Sequence, residues 1–184
     1  MRARLCFTVM ALASIVASNS ILAADGGNSA ESSVAPHDTP AAIDAFQVLP
    51  GRWTGEGRLG FKDGKIETVT CRATYFQGDE TRSLKQNIRC ASPSGKIEVR
   101  STLSENNGVL AGQWTEEIYN LAGELSGEVT PAGLKVAVKG EGLDANMDLI
   151  VRGHRQVVEI QFHNTTLIGL TLILSRTDQA GGPS

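Results

Sequence analysis

The sequence has few of the residues on which catalysis and metal binding usually depend. It contains three histidines and three cysteines in 184 residues, and the histidines (His37, His154 and His163) are far apart along the chain. It lacks a nucleophile elbow, an HExxH helix motif, a phosphate-binding glycine loop and a CxxC pair. We therefore predict no catalytic residue, no metal ligand and no cofactor, and we expect that the protein is not an enzyme.

Basic and aromatic residues are also scarce. Acidic residues outnumber basic residues by 20 to 17, and aromatic residues make up 5% of the chain. Proteins that bind nucleic acid usually present a basic patch, often with aromatic side chains between the cations. Because the sequence has neither, we predict no nucleic-acid partner. The mildly acidic balance mainly favours solubility.

A long apolar run occurs only near the N-terminus, where the sequence resembles a secretory signal. Arg2 and Arg4 precede an apolar stretch over residues 5–17, and the small residues Ala23-Ala24 follow it. The stretch is too short to span a bilayer as a helix. We predict a signal peptide over residues 1–24 that is cleaved on export to the periplasm or the medium, with a membrane anchor as the alternative. After cleavage we expect no stable membrane insertion.

The two cysteines of the exported chain predict a disulfide-bonded hairpin. Cys6 lies in the predicted signal peptide, which leaves Cys71 and Cys90. These lie on two strand-like runs joined by the polar turn 77–81. A hairpin folded about that turn places Cys71 opposite Cys90. The two side chains of every flanking pair then lie on the same face of the sheet, as an antiparallel ladder requires. A Cys71–Cys90 disulfide is typical of proteins in an oxidising compartment.

Composition divides the exported chain into a tether, one folded domain and a tail. Residues 25–40 are rich in Gly, Ser and Pro, and we predict that they form a disordered tether because they cannot bury enough apolar surface. Residues 41–178 have the length of one domain. A short helix is predicted over 41–48, with Thr39 as the candidate cap. Residues 179–184 are predicted to be a disordered tail.

The folded domain has the pattern of β-strands. Short runs of alternating apolar and polar residues are separated by Gly, Asn, Asp and Pro turn signals. The alternation is clearest over 143–151 and 168–176, where apolar residues share one face. One apolar and one polar face per strand suits an antiparallel meander, and closure would remove exposed edges. We predict an all-β fold, an antiparallel up-and-down meander β-barrel of about 8–10 strands. Two packed sheets are the alternative.

The second strand admits two inward faces. If Asp63-Gly64 is a two-residue turn, the inward-facing side chains of this strand begin with Ile66. The disulfide register instead makes Val69 and Cys71 the inward-facing side chains. We expect the disulfide register to decide, with a bulge near 65–68 that reconciles the two sets.

Two ends of the domain resemble a known superfamily. The first predicted strand opens with Gly51-Arg52-Trp53, and the last carries Arg176 on its inward face. This pair resembles the barrel closure of calycins, a superfamily that includes lipocalins, fatty-acid-binding proteins and avidins. The run LPGRWTGEGRLGF also resembles the start of nitrobindin-type barrels. The resemblance implies that Gly51, Trp53 and Arg176 close one barrel end, with the guanidinium stacked on the indole. Nitrobindin-type proteins bind haem through a histidine near the C-terminal strands, but His163 has outward parity, so we do not carry that role over.

The resemblance implies a lumen that binds a small apolar or amphipathic ligand. The inward residues that we predict to contact the ligand are Tyr75, Gln86, Trp114, Glu116, Met147 and Phe162. The alternative for Glu116 is a solvent-exposed position at the opening of the barrel, without a role in binding. The inward glycines are Gly55, Gly57, Gly112 and Gly127. They would leave room for a ligand or, alternatively, permit sharp coiling of the strands around a filled core.

Three function classes are open from the sequence. We predict the first, an exported small-ligand-binding β-barrel protein of the bacterial envelope. The second is an interaction protein such as a protease inhibitor acting through the tether, since some bacterial metalloprotease inhibitors resemble this chain in their G-x-W opening and early disulfide. The third is a lipocalin-like enzyme with Glu116, Tyr75 and Arg72 as its acid–base set. A structural role in the envelope is a further alternative.

Overall fold

The structure is a computed structural model that describes residues 42–177. It contains one helix and ten strands. These are α1 (Ala45–Val48), β1 (Gly51–Phe61), β2 (Ile66–Gln77), β3 (Ser83–Ser92), β4 (Gly95–Asn106), β5 (Val109–Glu116), β6 (Leu121–Thr130), β7 (Gly133–Gly140), β8 (Leu143–Arg152), β9 (Arg155–Phe162) and β10 (Leu167–Arg176). The predicted signal peptide, tether and tail lie outside the described residues. Within 42–177, no helix has the length and apolar character needed to cross a membrane.

The ten strands form a closed antiparallel barrel. Each strand pairs with the next along the chain, and β1 also pairs with β10. The predicted all-β, up-and-down meander barrel with a short N-terminal helix is therefore confirmed, with ten strands. Closure pairs the backbone groups that a flat sheet would expose at its edges.

The helix α1 covers one end of the barrel. We call this the closed end; β1 begins there and β10 ends there. Ala45, Phe46 and Leu49 are at most 1% exposed. The helix begins later than predicted, because Asp44 caps it by accepting a 3.1 Å hydrogen bond from the Phe46 amide. An aspartate at this position is a favoured N-cap. Thr39, the candidate cap, lies outside the described residues.

Trp53 and Arg176 seal the closed end. They are cross-strand partners on β1 and β10, and the Arg176 guanidinium carbon lies 4.5 Å from the centroid of the Trp53 ring. The Trp53 indole Nε1 donates a 2.8 Å hydrogen bond to the Leu49 carbonyl. The guanidinium donates to the carbonyls of Pro50, at 2.7 Å, and Val48. The stack therefore joins the first strand, the last strand and α1.

The β2–β3 hairpin has the predicted register. Cys71 lies opposite Cys90, and the two form a disulfide. Tyr75 lies opposite Gln86, as the same register requires. The prediction of the Cys71–Cys90 disulfide is therefore confirmed in the structure.

The inward face of β2 is the one that the disulfide register favours. Val69 and Cys71 are buried, whereas Ile66 is 57% exposed. The predicted bulge near 65–68 is wrong, because the pairing of β1 with β2 runs without a shift to Gly60 opposite Ile66. Without a bulge, the inward alternation continues from Val69 back to Glu67, which is buried. A carboxylate is tolerated there because its partners satisfy it, as described below.

The start of β10 departs from the predicted alternation. The pattern over 168–176 placed Ile168 on the inward face, but it is 56% exposed. The register between β1 and β10 shifts between Gly60 and Phe61. Such a shift moves the side chains beyond it, here those of Leu167 and Ile168, to the other face of the strand. Leu167 consequently turns towards the lumen at the end opposite α1.

The inward glycines do not open the lumen. A Cβ on Gly57 would lie 2.0 Å from the Thr171 carbonyl oxygen, and one on Gly112 would lie 2.1 Å from that of Thr102. Gly55 and Gly127 have equally close backbone neighbours. These glycines therefore allow adjacent strands to approach and coil. The closed half of the barrel, below α1, is filled by side chains, and the cavity there measures about 30 Å³, room for about one water molecule.

Candidate functional site

The end of the barrel opposite α1 is open and forms an apolar bowl. We call it the open end; β1 ends there and β10 begins there. The bowl has a volume of about 210 Å³. Its lining residues are Leu59, Phe61, Val69, Cys90, Ala91, Ser92, Ser94, Gly95, Lys96, Ile97, Tyr119, Phe162, Leu167 and Leu170.

Strand register explains why the bowl is apolar. Leu59 on β1 lies opposite Leu170 on β10, so two branched side chains meet on the inner wall. Val69 on β2 lies opposite Gly57 and adds a third branched side chain to this wall. At the closed end α1 inserts Phe46 into the barrel, whereas the described chain places no helix over the open end. The inner wall at the open end therefore remains accessible.

Exposed apolar side chains concentrate around this end. Eight large hydrophobic residues are exposed in the part of the chain that the structure describes, and five of them belong to turns or strand ends at the open end. These five are Ile66, Ile97, Ile118, Tyr119 and Ile168. Apolar surface gathered in one place usually marks a binding or interaction site, whereas scattered exposed residues carry no such meaning. The open end is thus the candidate site.

The bowl has one polar edge. It is formed by Ser94 of the β3–β4 turn, by Gly95 and Lys96 at the start of β4, and by Tyr119 of the β5–β6 turn. The Tyr119 hydroxyl lies over Gly95, since a Cβ there would be 3.5 Å from it. Lys96 pairs with Ala91 and therefore has the outward parity of β4, whereas its neighbour Ile97 pairs with the inward Cys90. The Tyr119 hydroxyl can donate a hydrogen bond at this edge.

Glu67 anchors the β3–β4 turn. Its carboxylate accepts a 3.1 Å hydrogen bond from the Ser94 amide and a second from the Ser94 hydroxyl. The Lys65 ammonium lies 2.6 Å from Oε1 of the same carboxylate. The hydrogen bond from Lys65, followed by those from Ser94, lowers the pKa of Glu67 from 4.5 to about 2. The sequence analysis missed this role, although the cysteine register already gives position 67 inward parity.

Glu116 supports the other turn of the polar edge. Its carboxylate accepts hydrogen bonds from the amides of Glu98 (2.9 Å), Ile118 (3.0 Å) and Tyr119 (2.6 Å). Glu116 is 5% exposed. It was predicted as a ligand contact or as part of a wet mouth, but its oxygens are directed at the backbone. Its contribution to the site is to hold the turn that presents Tyr119.

The remaining lumen candidates lie at different depths. Phe162 lines the bowl. Tyr75, Gln86 and Met147 instead line the cavity of about 30 Å³ in the closed half of the barrel. The Tyr75 hydroxyl donates a 3.2 Å hydrogen bond to the Gln156 side-chain oxygen, and burial raises the pKa of Tyr75. The structure therefore brings one of these four residues to the open end.

Trp114 is packed into the barrel wall. Its indole Nε1 donates a 3.0 Å hydrogen bond to the Lys139 carbonyl. A Cβ on Gly140 would lie 2.5 Å from the Trp114 ring, and one on Gly123 would lie 2.7 Å from its Nε1. Two glycines on β6 and β7 thus make the slot that the indole fills. Trp114 does not line the bowl.

The structure does not bring together the acid–base set considered from the sequence. Tyr75 lies opposite Gly51 near the closed end, whereas Glu116 ends β5 at the open end. Arg72 is exposed on the outer face of β2. His163 is also exposed, and its ring Nε2 lies 3.1 Å from the Asn146 amide nitrogen. Within residues 42–177, no group of three His, Cys, Asp or Glu side chains is arranged to hold a metal ion.

Comparisons with known proteins show the fold. No protein-family model and no curated protein sequence matches the chain. The crystal structure of Rv2717c from M. tuberculosis superposes with a TM-score of 0.61 at 13% identity, covering 74% of this chain and 99% of that one. The S-type phycobiliprotein lyase CPES from Guillardia theta gives a TM-score of 0.49 at 11% identity, covering 72% and 90%. The first comparison shows a shared barrel fold, and the second is too distant to support an argument.

Proposed function

We propose that this protein is an exported small-ligand-binding β-barrel protein that holds an apolar or amphipathic ligand in the bowl at the open end. The observation that carries the proposal is the contrast between two spaces: the bowl of about 210 Å³ at the open end and the cavity of about 30 Å³ in the closed half. A ligand therefore enters from the end of the barrel and stays there. Sites for drug-sized molecules measure roughly 300–1,000 Å³, so the ligand is small or is one end of a longer chain.

The affinity expected of such a site is modest. Each buried methylene group contributes about 0.8 kcal/mol. Six of them would contribute roughly 5 kcal/mol, which corresponds to a dissociation constant on the order of 10⁻⁴ M. The cost of immobilising the ligand weakens this value further. Affinity for a simple apolar probe is therefore expected in the upper micromolar to millimolar range.

Export to an oxidising compartment is supported by the disulfide. Cytosolic proteins rarely keep such a bond, whereas periplasmic and secreted proteins do. The signal peptide proposed over residues 1–24 would supply the route. Mass spectrometry of the envelope fraction tests this: we expect a mature N-terminus near residue 25 and no free thiol. A full-length chain with free thiols in the cytosol would overturn the export proposal.

We further propose that binding occurs without catalysis. The Tyr75 hydroxyl donates to Gln156, and the Glu116 carboxylate accepts from three backbone amides, so both candidate acid–base groups are committed to the fold. The bowl lining contains no histidine, aspartate or glutamate. A stable ligand recovered chemically unchanged from the protein would agree with this; turnover lost on substituting a bowl residue would contradict it.

The binding proposal is tested with a neutral fluorescent probe, N-phenyl-1-naphthylamine. Phe162→Asp places a charge in the bowl, whereas the control Phe76→Asp places one on the outer face of β2, where Phe76 is 55% exposed. We expect at least fivefold weaker binding for Phe162→Asp, since a buried charge is strongly disfavoured, and unchanged binding for the control. Binding that is absent in the wild type, or equal in both variants, would refute the bowl as the site.

A deletion of residues 25–38 tests the second function class. The ligand-binding proposal expects unchanged probe binding, because the bowl is built from residues 59–170. A protease inhibitor acting through the tether would instead lose its activity on deletion and keep it in Phe162→Asp. The two variants therefore separate the classes.

A further inference from the structure

A groove of about 460 Å³ crosses the outer face of the barrel from β2 to β5, and we call it the outer groove. It shares no lining residue with the bowl. One of its walls is a single line of successive cross-strand partners, each on the next strand. These are Phe76, Lys85, Thr102 and Gln113. The line therefore places an aromatic ring, an ammonium, a hydroxyl and an amide side by side.

The second wall and the floor follow from the same strand register. Asn87, Arg100 and Thr115 are also successive partners and form the second wall. The residues between the two walls, Ser101 and Trp114 among them, have the inward parity, so the floor of the outer groove is backbone. The space between two rows of outward side chains is the groove.

Phe76 presents a free aromatic ring at one end of the outer groove. It is 55% exposed. Within residues 42–177, no Lys or Arg lies over its ring, whereas Lys65 lies over Phe61 and Arg82 lies over Phe46. A single exposed apolar side chain has no meaning by itself. Here it adjoins a row of polar groups, so its ring is available to a ligand that also uses those groups.

The polar groups of the outer groove divide into paired cations and unpaired neutral groups. The Lys85 ammonium lies 2.5 Å from the Asp79 carboxylate, and the Arg100 guanidinium lies 3.4 Å from that of Glu98. The Thr102 hydroxyl and the Gln113 amide lie on directly opposed residues and make no side-chain hydrogen bond within the described chain. The groove therefore favours an uncharged ligand rich in hydrogen-bonding groups over a polyanion.

We propose that the outer groove binds an oligosaccharide, with the C–H face of one sugar ring on Phe76 and sugar hydroxyls at Thr102 and Gln113. A sugar ring combines an apolar C–H face with a rim of hydroxyls, and an amide both donates to and accepts from such hydroxyls. Neighbouring strands lie about 4.8 Å apart, close to the length of one sugar unit. A linear glycan laid across the strands therefore meets one wall residue per ring.

A second groove on the barrel provides an internal comparison. It has a volume of about 490 Å³, crosses β6–β9, and is built in the same way from two outward rows. It contains no aromatic residue, and its walls include Asp148 directly opposite Glu159. Gln161 on its wall is exposed, as Gln113 is. The two grooves thus share a shape but differ in chemistry, and the proposal applies to the outer groove alone.

The experiment measures binding of cellohexaose, maltohexaose and chitohexaose by calorimetry. Because an open groove removes little ligand surface from water, we expect a dissociation constant on the order of 10⁻⁴ to 10⁻³ M for at least one of them. Phe76→Ala should weaken that binding about fivefold or more, since it removes the ring. Gln113→Ala should weaken it roughly two- to tenfold, as expected for a lost hydrogen bond. Gln161→Ala is the matched control and should leave it unchanged.

The outcomes test this site separately from the bowl. Phe162→Asp should keep glycan binding and lose the naphthylamine probe, whereas Phe76→Asp should do the reverse. Absence of binding of all three glycans at millimolar concentration, or equal binding by wild type and Phe76→Ala, would overturn the proposal and leave the bowl unaffected. Oligothymidylate and a heparin hexasaccharide form the last arm. Tighter binding of these two, weakened steeply by salt, would make the groove a polyanion site and contradict the proposal.

Discussion

Cys71 and Cys90 share one disulfide but differ in their surroundings. Cys71 is fully buried, whereas Cys90 is 6% exposed and lines the bowl. A reductant can therefore approach the bond from the side of Cys90, through the candidate binding site. The disulfide is thus both a cross-strand link and a part of the bowl wall.

We predict that a bound ligand protects this disulfide from reduction. Dithiothreitol should reduce the folded protein slowly, because attack on a disulfide requires access to sulfur. An apolar ligand in the bowl should slow the reaction further, as measured by the appearance of free thiols over time. The same ligand should have no effect on protein unfolded in urea. Unchanged reduction in folded protein saturated with ligand would place the ligand elsewhere.

Removal of the disulfide should destabilise the barrel. The two cysteines are 19 residues apart, and in the chain-entropy model a loop of this size contributes about 3 kcal/mol. The Cys71→Ala, Cys90→Ala double variant should therefore lose about 3 kcal/mol in urea unfolding. Reduced wild type should lose a similar amount. A loss well below 1 kcal/mol in both would show that the unfolded chain is not appreciably constrained by the link.

The stack of Arg176 on Trp53 should appear as a coupling energy. Trp53→Ala is expected to cost about 3–5 kcal/mol, since it truncates a fully buried side chain. Arg176→Ala should cost less, and the double variant should cost less than the sum of the two. Trp53→Phe provides a milder second cycle if Trp53→Ala does not fold. Additive losses within about 0.3 kcal/mol in both cycles would show that the contact contributes no coupling.

Glu67 should make stability depend on acidic pH. Its pKa is lowered from 4.5 to about 2 in the folded protein, so the ionised form stabilises the fold. That contribution is complete above the pKa of the unfolded chain, near 4.5, and is lost as the pH falls towards 2. Glu67→Gln should therefore be less stable than wild type at neutral pH, and urea unfolding should show the difference shrink below pH 4.5. A stability difference that stays constant from neutral pH to pH 3 would argue against an ionic role of Glu67.

Two glycines of β1 provide a matched steric pair. A Cβ on Gly57 would lie 2.0 Å from the Thr171 carbonyl oxygen, whereas one on Gly60 would lie 3.9 Å from that of Gly169. Gly57→Ala should therefore cost about 1–3 kcal/mol, as expected for overpacking against backbone, and Gly60→Ala should be close to neutral. Thermal unfolding of both variants measures this. Equal stability would mean that the strands can separate at Gly57 without cost.

Local patterning accounts for the parts of the fold that could be predicted from the sequence. The strands were predictable because alternation has a period of two residues, and the β2–β3 register was predictable because two cysteines fixed one pair of a hairpin. The start of β10 was not predictable in this way. The register shift opposite Gly60 arises between strands that are more than a hundred residues apart, and no local pattern signals it.

The candidate site depended more strongly on tertiary structure. Apart from the start of β10, the sequence determined which side chains face the lumen, including Phe162, because the two faces of a strand alternate with its residues. Only the folded barrel decided that α1 fills one end, that Trp114 fills a slot above Gly140, and that the free volume lies at the other end. Volume that remains unfilled depends on how side chains from all strands pack together, so it is a property of the closed barrel and of no single segment.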